Sequence, residues 1–536
     1  LMTPVGDDPL DGTTAVDIVY GTETERQLAA IWSELLGGGV HGPEDGFFAS
    51  GGHSLLGVRL LALIRQRFKV AIPLRQIFEK PILSQMAKAI EEAIEDAGGG
   101  DQDLDEIQAN DWPGDERPVS SMQARLALMD QIDGSGLAYA VPIASLFGGV
   151  LDRDALGSAL QALADRHETL RCVVRIDEDI RGVLLSADRN WLKVENHPAM
   201  DRDAARTFTE DAARRLARIP FDLATEAPLR GYLLDFGGER SALILIVHHI
   251  AVDGHSIPIL LRDLASFYDA ALTGEAGNFR YADWTAWRQS QARLEQDDAA
   301  IAEAKETLTG APHMLDLPAD FPRPAQRNHE GRVETFAIAP ALECAMNARA
   351  RDLSTTPFVL LAAAYAVLLA RTTGAEDIVF GVPFDGRDSL ETGELVGFFA
   401  DTAVVRAKLD DDPDAVEIVS RLYHSLTRAI SRPAPLDRLI EAMDIQRDTS
   451  HTPLFQAMIA FNEEAQTGNL FGSLESEPLL VHPGTAKFDL QLQILKQDGK
   501  MVCALEYAAD LFTPETAQAL SSRYLRVLEW LSCGGV

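Results

Sequence analysis

Residues 241–254 read SALILIVHHIAVDG, a continuous apolar run that ends in two histidines and is followed by Asp253 and Gly254. An apolar run of this length is typical of a β-strand that is buried on both faces. Because successive side chains of a strand point to opposite sides, one of His248 and His249 is expected to enter a cavity while the other packs inward. Asp253 and Gly254 then predict a turn that carries a carboxylate. By itself, a histidine pair is more often structural than catalytic.

The sequence on both sides of this run predicts an α/β body over residues 117–536. Further strand-like runs alternate with helical patterns, the runs at 378–382 and 403–405 and the helices at 155–165, 257–272 and 357–369. A body of about 420 residues exceeds the usual size of a single domain. Two lobes are therefore expected, at about 117–290 and 291–536.

The first hundred residues have a helical pattern instead. Thr22 and Glu25 have the spacing of a helix capping box. Three apolar stripes then recur at the helical period, namely Leu28, Ile31, Trp32 and Leu35, then Leu60, Leu61, Ile64 and Phe68, then Leu83, Met86, Ala87, Ile90 and Ile94. They predict a small helical bundle over residues 21–96. A loose linker tail at 1–20 precedes it, and a flexible acidic linker at 97–116 follows it.

Within the bundle, residues 51–54 read GGHS and place Ser54 at the start of a helix. Two glycines keep the backbone open there, and the N–H groups and dipole of a helix N-terminus favour a negatively charged group such as a phosphodiester. A serine at this position is also a common helix N-cap, so the four residues alone leave both roles open.

Composition narrows the classes of function. With 82 acidic and 48 basic side chains the formal charge is -34, which opposes binding to nucleic acid and to anionic membranes. No apolar run is long enough to span a membrane and the N-terminus lacks a signal pattern, so a cytoplasmic protein is expected. The few, scattered cysteines and histidines predict neither disulfides nor a metal site. The start at Leu1 suggests a fragment of a longer protein.

Residues 22–94 resemble the thiolation, or peptidyl carrier, domain family. The similarity includes Phe47-Phe48, the stretch from Gly51 to Leu55 and the stretch from Ile77 to Pro81. The resemblance implies a small four-helix bundle in which Ser54 carries a covalently attached 4'-phosphopantetheine arm. The resemblance favours Ser54 as the attachment site over a purely structural role as a helix N-cap.

Residues 117–536 resemble the condensation domains of nonribosomal peptide synthetases. The HHxxxDG signature at 248–254 is accompanied, in family order, by Ser120–Leu126, Arg166–Arg171, Tyr281–Trp287, Val396–Thr402 and Arg447–Gln456. The resemblance implies a large α/β domain of two chloramphenicol-acetyltransferase-like lobes. Asp401 stands where the family usually has asparagine, and Ser431–Asp437 is a poor version of its usual signature. These departures leave the substrate preference open.

The implied reaction joins two thioester-bound groups, since the amine of an acceptor aminoacyl thioester attacks the carbonyl of a donor thioester. The catalytic motif comprises His248, His249, Asp253 and Gly254, with His249 at the reacting centre. Ordinary pKa values of about 6.5 for imidazole and about 8 for an amine leave open whether His249 is a base or a positioning group. Asp253 is expected to form a structural ion pair with Arg387 or, alternatively, with Arg171.

The order of the two domains implies that the carrier brings the donor. The expected partners are an upstream adenylation domain, a phosphopantetheinyl transferase that modifies Ser54, and a downstream acceptor carrier beyond Val536. Residues 138–142 (AYAVP) and the form HHIAxDG look more like the subtype that takes D-configured donors. Since no epimerisation domain intervenes, a glycine donor or a residue that is already D-configured would reconcile these features.

Two other functions fit parts of the sequence. An epimerisation domain shares the histidine motif and follows carriers, but it needs a proton-abstracting carboxylate motif that is not found here. A non-catalytic domain that recruits a tailoring enzyme would be expected to have lost His248 and His249. Peptide-bond formation is therefore the predicted function, and epimerisation of the carrier-bound residue is the alternative.

Overall fold

The computed structural model describes residues 19–534 apart from 37, 48–49, 51–56, 58–59, 62, 65–66, 71, 73–75, 78–79, 97–106, 134, 270–278, 388–389, 447, 463–469, 472–473 and 498–499. The chain divides into two compact units, residues 1–102 and 103–536. Ser54 and its GGHS stretch, residues 1–18 of the predicted tail, residues 97–106 of the predicted linker and Arg447 lie outside the described residues.

The smaller unit contains helices α1 (Glu23–Leu35) and α2 (Leu83–Asp96). α1 begins at the predicted cap, because Thr22 Oγ1 accepts a hydrogen bond from the Glu25 N–H at 3.2 Å. Members of all three predicted stripes meet in one core, in which the ring of Trp32 contacts Phe47 edge-on at 5.2 Å. Ile94, the last member of the third stripe, is exposed instead. The helical character predicted for this unit is confirmed.

The larger unit alternates helices and strands, as its sequence pattern predicts. Its helices are α3 (Ser121–Asp133), α4 (Arg153–Arg166), α5 (Arg202–Ala217), α6 (Ser256–Tyr268), α7 (Tyr281–Arg288), α8 (Gln291–Leu308), α9 (Pro340–Asp352), α10 (Pro357–Thr373), α11 (Ala415–Ser431), α12 (Leu436–Ala442) and α13 (Pro514–Ser532). Short 3-10 helices lie at Ser135–Tyr139, Glu168–Arg171 and Leu390–Thr392.

Its strands are β1 (Glu116–Arg117), β2 (Ala140–Phe147), β3 (Cys172–Ile176), β4 (Ile180–Leu184), β5 (Leu192–His197), β6 (Leu229–Phe236), β7 (Ser241–His248), β8 (Gly331–Ala337), β9 (Asp377–Phe384), β10 (Asp401–Lys408), β11 (Ala457–Asn462), β12 (Ser476–Leu479), β13 (Leu490–Gln497) and β14 (Lys500–Ala508). They form a five-stranded sheet in the order β12-β2-β7-β6-β5, a six-stranded sheet in the order β10-β9-β11-β13-β14-β8, and a three-stranded sheet in the order β1-β4-β3. The pairs β5–β6, β9–β11 and β11–β13 are parallel.

Each large sheet has its own hydrophobic core. β7, in the middle of the five-stranded sheet, is buried along its whole length, as a continuous apolar run predicts. The second core surrounds α10, in which every residue from Val359 to Leu369 is buried. The two cores correspond to the two expected lobes, and we call the part with the five-stranded sheet the N-lobe and the part with the six-stranded sheet the C-lobe.

One strand crosses the boundary between the lobes. β12 lies late in the sequence, yet it pairs antiparallel with β2 at the edge of the N-lobe sheet. Phe471, just before β12, stacks on Phe147 of β2 at 5.3 Å within the N-lobe core. The predicted boundary at about residue 290 follows the order of the chain, whereas β12 joins the N-lobe sheet across that boundary, because edge pairing is decided in the folded state.

The second half of the predicted linker lies on the larger unit. Ile107 is buried in a cluster with Tyr281 and other aromatic residues. The Asn110 N–H and Trp112 Nε1 donate hydrogen bonds to Asp283 Oδ1 at 2.9 and 2.8 Å. Residues 107–116 are thus anchored, and the other domain boundaries stay predictions.

In the part of the chain that the structure describes, no single helix is long and apolar enough to cross a membrane. α9 and α10 meet the length and composition criteria together, but a bend of 106° separates them.

Candidate active site

The two histidines predicted to be catalytic lie where β7 ends. The His248 N–H donates a hydrogen bond to Pro228 O at 2.9 Å, and the His249 N–H donates one to Tyr139 O at 2.8 Å. Pro228 precedes β6 and Tyr139 precedes β2, which are the strands on either side of β7. The backbone that carries both imidazoles is therefore held from both neighbours in the sheet.

His248 packs inward, with 1% of its surface exposed. Its Nδ1 accepts a hydrogen bond from the Ile250 N–H at 3.1 Å, and its ring lies 5.7 Å from that of Phe221 and 6.3 Å from that of Tyr139. Burial is the main cause that lowers the pKa of His248 to about 3. The imidazole is therefore neutral at physiological pH and packs as part of the wall of the site.

His249 is partly exposed, as alternation along a strand predicts for one of the pair. Its ring contacts Phe398 edge-on at 5.1 Å. Burial first, and then the positive charge of Lys487, lower the pKa of His249 well below its usual value. A neutral imidazole offers one donor and one acceptor nitrogen, so it can hold an amine by a hydrogen bond but binds a proton weakly. This environment favours positioning over base catalysis.

Asp253 lies in the turn after the histidines and is 2% exposed. Its Oδ1 accepts hydrogen bonds from the N–H and the hydroxyl of Ser256 at 2.9 and 2.7 Å and from Arg387 Nη2 at 3.0 Å. Its Oδ2 accepts one from the Phe399 N–H at 3.1 Å. Both oxygens are engaged in holding the loop, which leaves this carboxylate without a role in proton transfer.

Arg387 is the arginine that pairs with Asp253, and it is 4% exposed. Its Nη1 donates hydrogen bonds to the carbonyl oxygens of Thr392 and Leu395, and its guanidinium lies 3.9 Å from the centre of the Phe399 ring. Arginine suits such a site because its planar fork satisfies several acceptors at once.

The other predicted residues of the motif lie elsewhere or make few contacts. Arg171 donates hydrogen bonds to Ala164 O at 3.1 Å and Leu185 O at 2.8 Å, and within the described residues it does not reach Asp253. Gly254 is exposed in the turn, and a Cβ added there would meet no described atom within 4 Å. No steric need for glycine at this position follows from the described residues.

Two of the other sequence signatures support the histidine loop, one directly and one through the C-lobe segment 396–399. Gln123 Nε2 in α3 donates a hydrogen bond to Ile250 O at 3.0 Å. Tyr281 donates its hydroxyl hydrogen to Phe398 O at 2.7 Å, which fixes the segment 396–399 beside His249. The site therefore lies at the seam between the N-lobe and the C-lobe.

The two departures from the family pattern lie close to each other in the structure. Arg125 Nη1 is 3.0 Å from Asp437 Oδ1. Burial raises the pKa of Asp401 to about 6, the negative charge of Asp437 adds to this shift, and the positive charge of Arg125 opposes it. Asp401, Asp437 and Arg125 thus form one charge cluster, which neither departure predicts alone.

Lys487 is a residue of the site that sequence reasoning missed. Its Nζ lies 4.9 Å from the centre of the Tyr139 ring, which borders both imidazoles. Lys487 is a single lysine in the loop before β13 and belongs to no sequence motif. Its position beside Tyr139 arises only when the C-lobe folds.

Among the described residues, no three His, Cys, Asp or Glu side chains lie close enough together to hold a metal ion. The polar side chains at the reaction centre are the partly exposed imidazole of His249 and the ammonium group of Lys487.

A mixed α/β unit of two lobes with a histidine at their seam is the chloramphenicol-acetyltransferase-like fold. Residues 114–532 match the family model described as the condensation domain, and residues 26–90 match that of the phosphopantetheine attachment site. The chain therefore belongs to the condensation-domain family and has a carrier domain before it, a pairing found in nonribosomal peptide synthetases.

Relatives and solved structures agree with this assignment. The dimodular nonribosomal peptide synthase of Bacillus subtilis (strain 168) is 32% identical over 535 residues, which are 96% of this chain and 22% of the relative. The chain spans between 6% and 22% of the length of the curated relatives compared. The X-domain solved in complex with OxyB from teicoplanin biosynthesis is 25% identical, with 80% of this chain and 95% of that one covered and a TM-score of 0.71. An epimerization domain from the third module of a tyrocidine synthetase shares the fold at 16% identity and a TM-score of 0.63, over 79% of this chain and 98% of that one.

Proposed function

We propose that this chain forms a peptide bond within a longer nonribosomal peptide synthetase, with its carrier domain presenting the donor. The amine of an acceptor aminoacyl thioester attacks the donor thioester carbonyl, an amide forms and the donor thiol is released. The observation that carries this proposal is His249, a partly exposed imidazole on a backbone fixed at the seam of the two lobes.

His249 holds the attacking nitrogen by accepting a hydrogen bond from it. Because its pKa is lowered, His249 is a weak base, so it contributes to the reaction mainly by orienting the amine. Holding two reacting groups in attack geometry lowers the activation free energy by several kcal/mol. Stabilisation of developing charge by a positioned polar group has an effect of similar size. Asp253 and Arg387 keep the loop of His249 in place.

The donor side depends on Ser54. When attached there, 4'-phosphopantetheine supplies the thiol that carries the donor acyl group. The match of residues 26–90 and the position of the carrier before the condensation domain support this assignment. With this assignment we expect three partners, namely an upstream adenylation domain, a phosphopantetheinyl transferase and a downstream acceptor carrier. The high negative charge and lack of a long apolar helix among the described residues suit a cytoplasmic location.

We also propose that the donor residue is glycine or is D-configured. The motif at 138–142 suggests this preference, and Tyr139 of that motif borders both imidazoles, where a donor carbonyl would have to lie. Transfer of an L-configured donor together with rejection of glycine would contradict the proposal.

Two rival functions have some support. The fold shared with an epimerization domain makes epimerisation the main alternative. The likeness to an X-domain solved with OxyB raises a second, recruitment of a tailoring enzyme. Retention of His248 and His249 favours condensation over recruitment.

The test is transfer between two carriers followed by intact-protein mass spectrometry. Ser54 is loaded with an aminoacyl phosphopantetheine and an acceptor carrier loaded with a second amino acid is added. Donor mass should move to the acceptor, His249→Ala should slow this strongly, and the exposed His424→Ala should not. No transfer with any acceptor, accompanied by deuterium uptake at the donor α-carbon, would instead establish epimerisation.

A further inference from the structure

The ammonium group of Lys487 reaches the reaction centre from the other lobe. It lies 4.9 Å from the centre of the Tyr139 ring, and the same ring lies 6.3 Å from that of His248 and 6.4 Å from that of His249. Lys487 precedes β13 of the C-lobe, whereas Tyr139 and the histidines belong to the N-lobe. One aromatic ring therefore separates a cation from the imidazole at which the amine is held.

The backbone of Lys487 is fixed on both sides. Its carbonyl oxygen accepts a hydrogen bond from Arg327 Nη1 at 2.7 Å, and its N–H donates one to Glu506 Oε1 at 3.4 Å. Arg327 is itself buried. The point from which the side chain extends is thus fixed, and the Tyr139 ring, 4.9 Å from Nζ, contacts its charged end. Charge that is already in place stabilises a transition state without a cost of reorientation.

The charge of Lys487 has no close compensating partner among the residues that the structure describes. No described carboxylate lies within ion-pair distance of its Nζ, although Glu506 acts on it from further away. Burial lowers the pKa of Lys487 to about 8, against the opposing effect of Glu506. A half-buried cation without an anion is unfavourable for stability, and such groups are concentrated at functional sites.

We propose that Lys487 provides a fixed positive field at the reaction centre, which keeps the acceptor amine neutral and stabilises the oxyanion that forms during attack. The inference rests on the proposed condensation function and assigns a further residue to it. An adjacent positive charge disfavours the ammonium form of the amine and favours negative charge on the carbonyl oxygen. One cation therefore assists both requirements of the reaction.

The chemistry balances without a strong base. The amine nitrogen bonds to the thioester carbon while the carbonyl electron pair moves to oxygen. That pair returns as the carbon–sulfur bond breaks, the nitrogen loses one proton and the released sulfur gains one. In this scheme Lys487 carries a charge but transfers no proton, and His249 holds the nitrogen.

Several other charged or titratable groups lie around Lys487 and should not be mutated in a test of its role. They are Glu506 and His482, which contact each other at 2.9 Å, Arg327, Tyr139, His248, and Arg230, whose charge also acts on His248. Variants are therefore limited to Lys487 and to a control lysine on the adjoining strand.

The experiment measures the single-turnover rate of transfer at saturating acceptor between pH 6 and pH 9.5. Lys487→Met removes the charge, Lys487→Arg keeps it, and Lys496→Met, at an exposed position of β13, is the matched control. A unit charge roughly 10 Å away, at an effective dielectric constant of about 20, shifts a pKa by about one unit. The wild type should show a rise that follows the amine and a fall near pH 8 as Lys487 loses its charge.

Lys487→Met should lower the rate at pH 7 by at least about tenfold, since it loses the effect on the amine and the effect on the oxyanion. It should also move the rise up by about one pH unit and lack the fall near pH 8. Lys487→Arg should keep the rise and also lack the fall, because arginine stays charged. Lys496→Met should behave as the wild type.

Partial misfolding would scale the rates without moving either limb of the profile, so the positions of the limbs decide the matter. Unchanged limbs in Lys487→Met, or equal shifts in the Met and Arg variants, would overturn the role of Lys487. Absence of transfer by the wild type at every pH would contradict the condensation function itself.

Discussion

Arg387 Nη2 donates hydrogen bonds to both carboxylate oxygens of Asp253, at 3.0 and 3.3 Å, across 134 positions of the sequence. Asp253 follows β7 of the N-lobe and Arg387 follows β9 of the C-lobe. The pair therefore fastens the seam of the two lobes at the loop that carries His249. The pair keeps the geometry of the loop and contributes to the free energy of unfolding.

Arg387→Ala should lower the free energy of unfolding by about 3–5 kcal/mol, because it leaves Asp253 buried without its charge partner. Urea denaturation of the full chain measures the change. Arg214→Ala breaks an exposed ion pair with Asp211 and should cost less than about 1 kcal/mol. The double variant Asp253→Ala, Arg387→Ala should be more stable than the sum of the single effects implies, and strict additivity would show that the two residues do not interact.

His249→Ala and His248→Ala should separate catalysis from packing. His249→Ala should reduce transfer by about 100-fold or more with little effect on the melting temperature, since its ring is partly exposed. His248→Ala should destabilise the unit by about 2–4 kcal/mol, because its buried ring packs against Phe221 and Tyr139. Transfer rates and thermal unfolding of both variants are compared, and the reverse pattern would exchange the two roles.

Asp401→Asn should stabilise the protein at pH 7.5 and have only a small effect at pH 4, close to the pKa of an unfolded aspartate. Burial raises the pKa of Asp401 from 3.8 to about 6, so the folded state holds its proton more tightly than the unfolded state does. Stability therefore falls as pH rises through this range, and the cost is fully present above pH 6. Removing the charge should recover about 1–3 kcal/mol at pH 7.5.

Urea denaturation of the wild type and Asp401→Asn at both pH values checks this sign. The asparagine amide retains an oxygen that can accept the Thr402 N–H, as Asp401 Oδ1 does at 2.7 Å. Equal gains at pH 4 and pH 7.5 would mean that the charge of Asp401 is not the cause.

Gly397→Ala should damage the site through a steric clash. A Cβ at Gly397 would lie 2.1 Å from Cδ2 of Tyr281, and the Gly397 N–H donates a hydrogen bond to Ser256 Oγ at 3.1 Å. We expect a loss of about 2 kcal/mol or more and slower transfer, because neighbouring Phe398 contacts His249. Gly157→Ala in α4 is the control, since a Cβ there meets nothing within 4 Å and should stabilise the helix by about 0.5–1 kcal/mol. Denaturation and transfer assays compare the two variants.

The sequence predicted the features that follow from local pattern. The apolar run of β7 predicted a strand buried on both faces, and α10 and the helices of the smaller unit followed from the apolar period. Alternation along the strand also predicted that only one histidine of the pair would be accessible. These properties are local, because a few neighbouring residues determine them.

The remaining features depend on contacts between distant segments. The sequence suggested Arg387 as the partner of Asp253 and Arg171 as the alternative, and the fold places Arg387 beside it. The position of Lys487 beside Tyr139 and the approach of Asp401 and Asp437 to Arg125 arise from the packing of the lobes. The pairing of β12 with β2 also depends on the folded structure, because the sequence alone does not show which strand pairs with the edge of a sheet.

The late position of β12 has a consequence for how the protein is made. β2 emerges from the ribosome several hundred residues before the strand that covers its outer edge. At a synthesis rate of roughly 5–20 residues per second, that edge waits for tens of seconds without its partner. An uncovered strand edge is a template for aggregation. Chains cut short before residue 476 are therefore expected to aggregate more readily than the full chain.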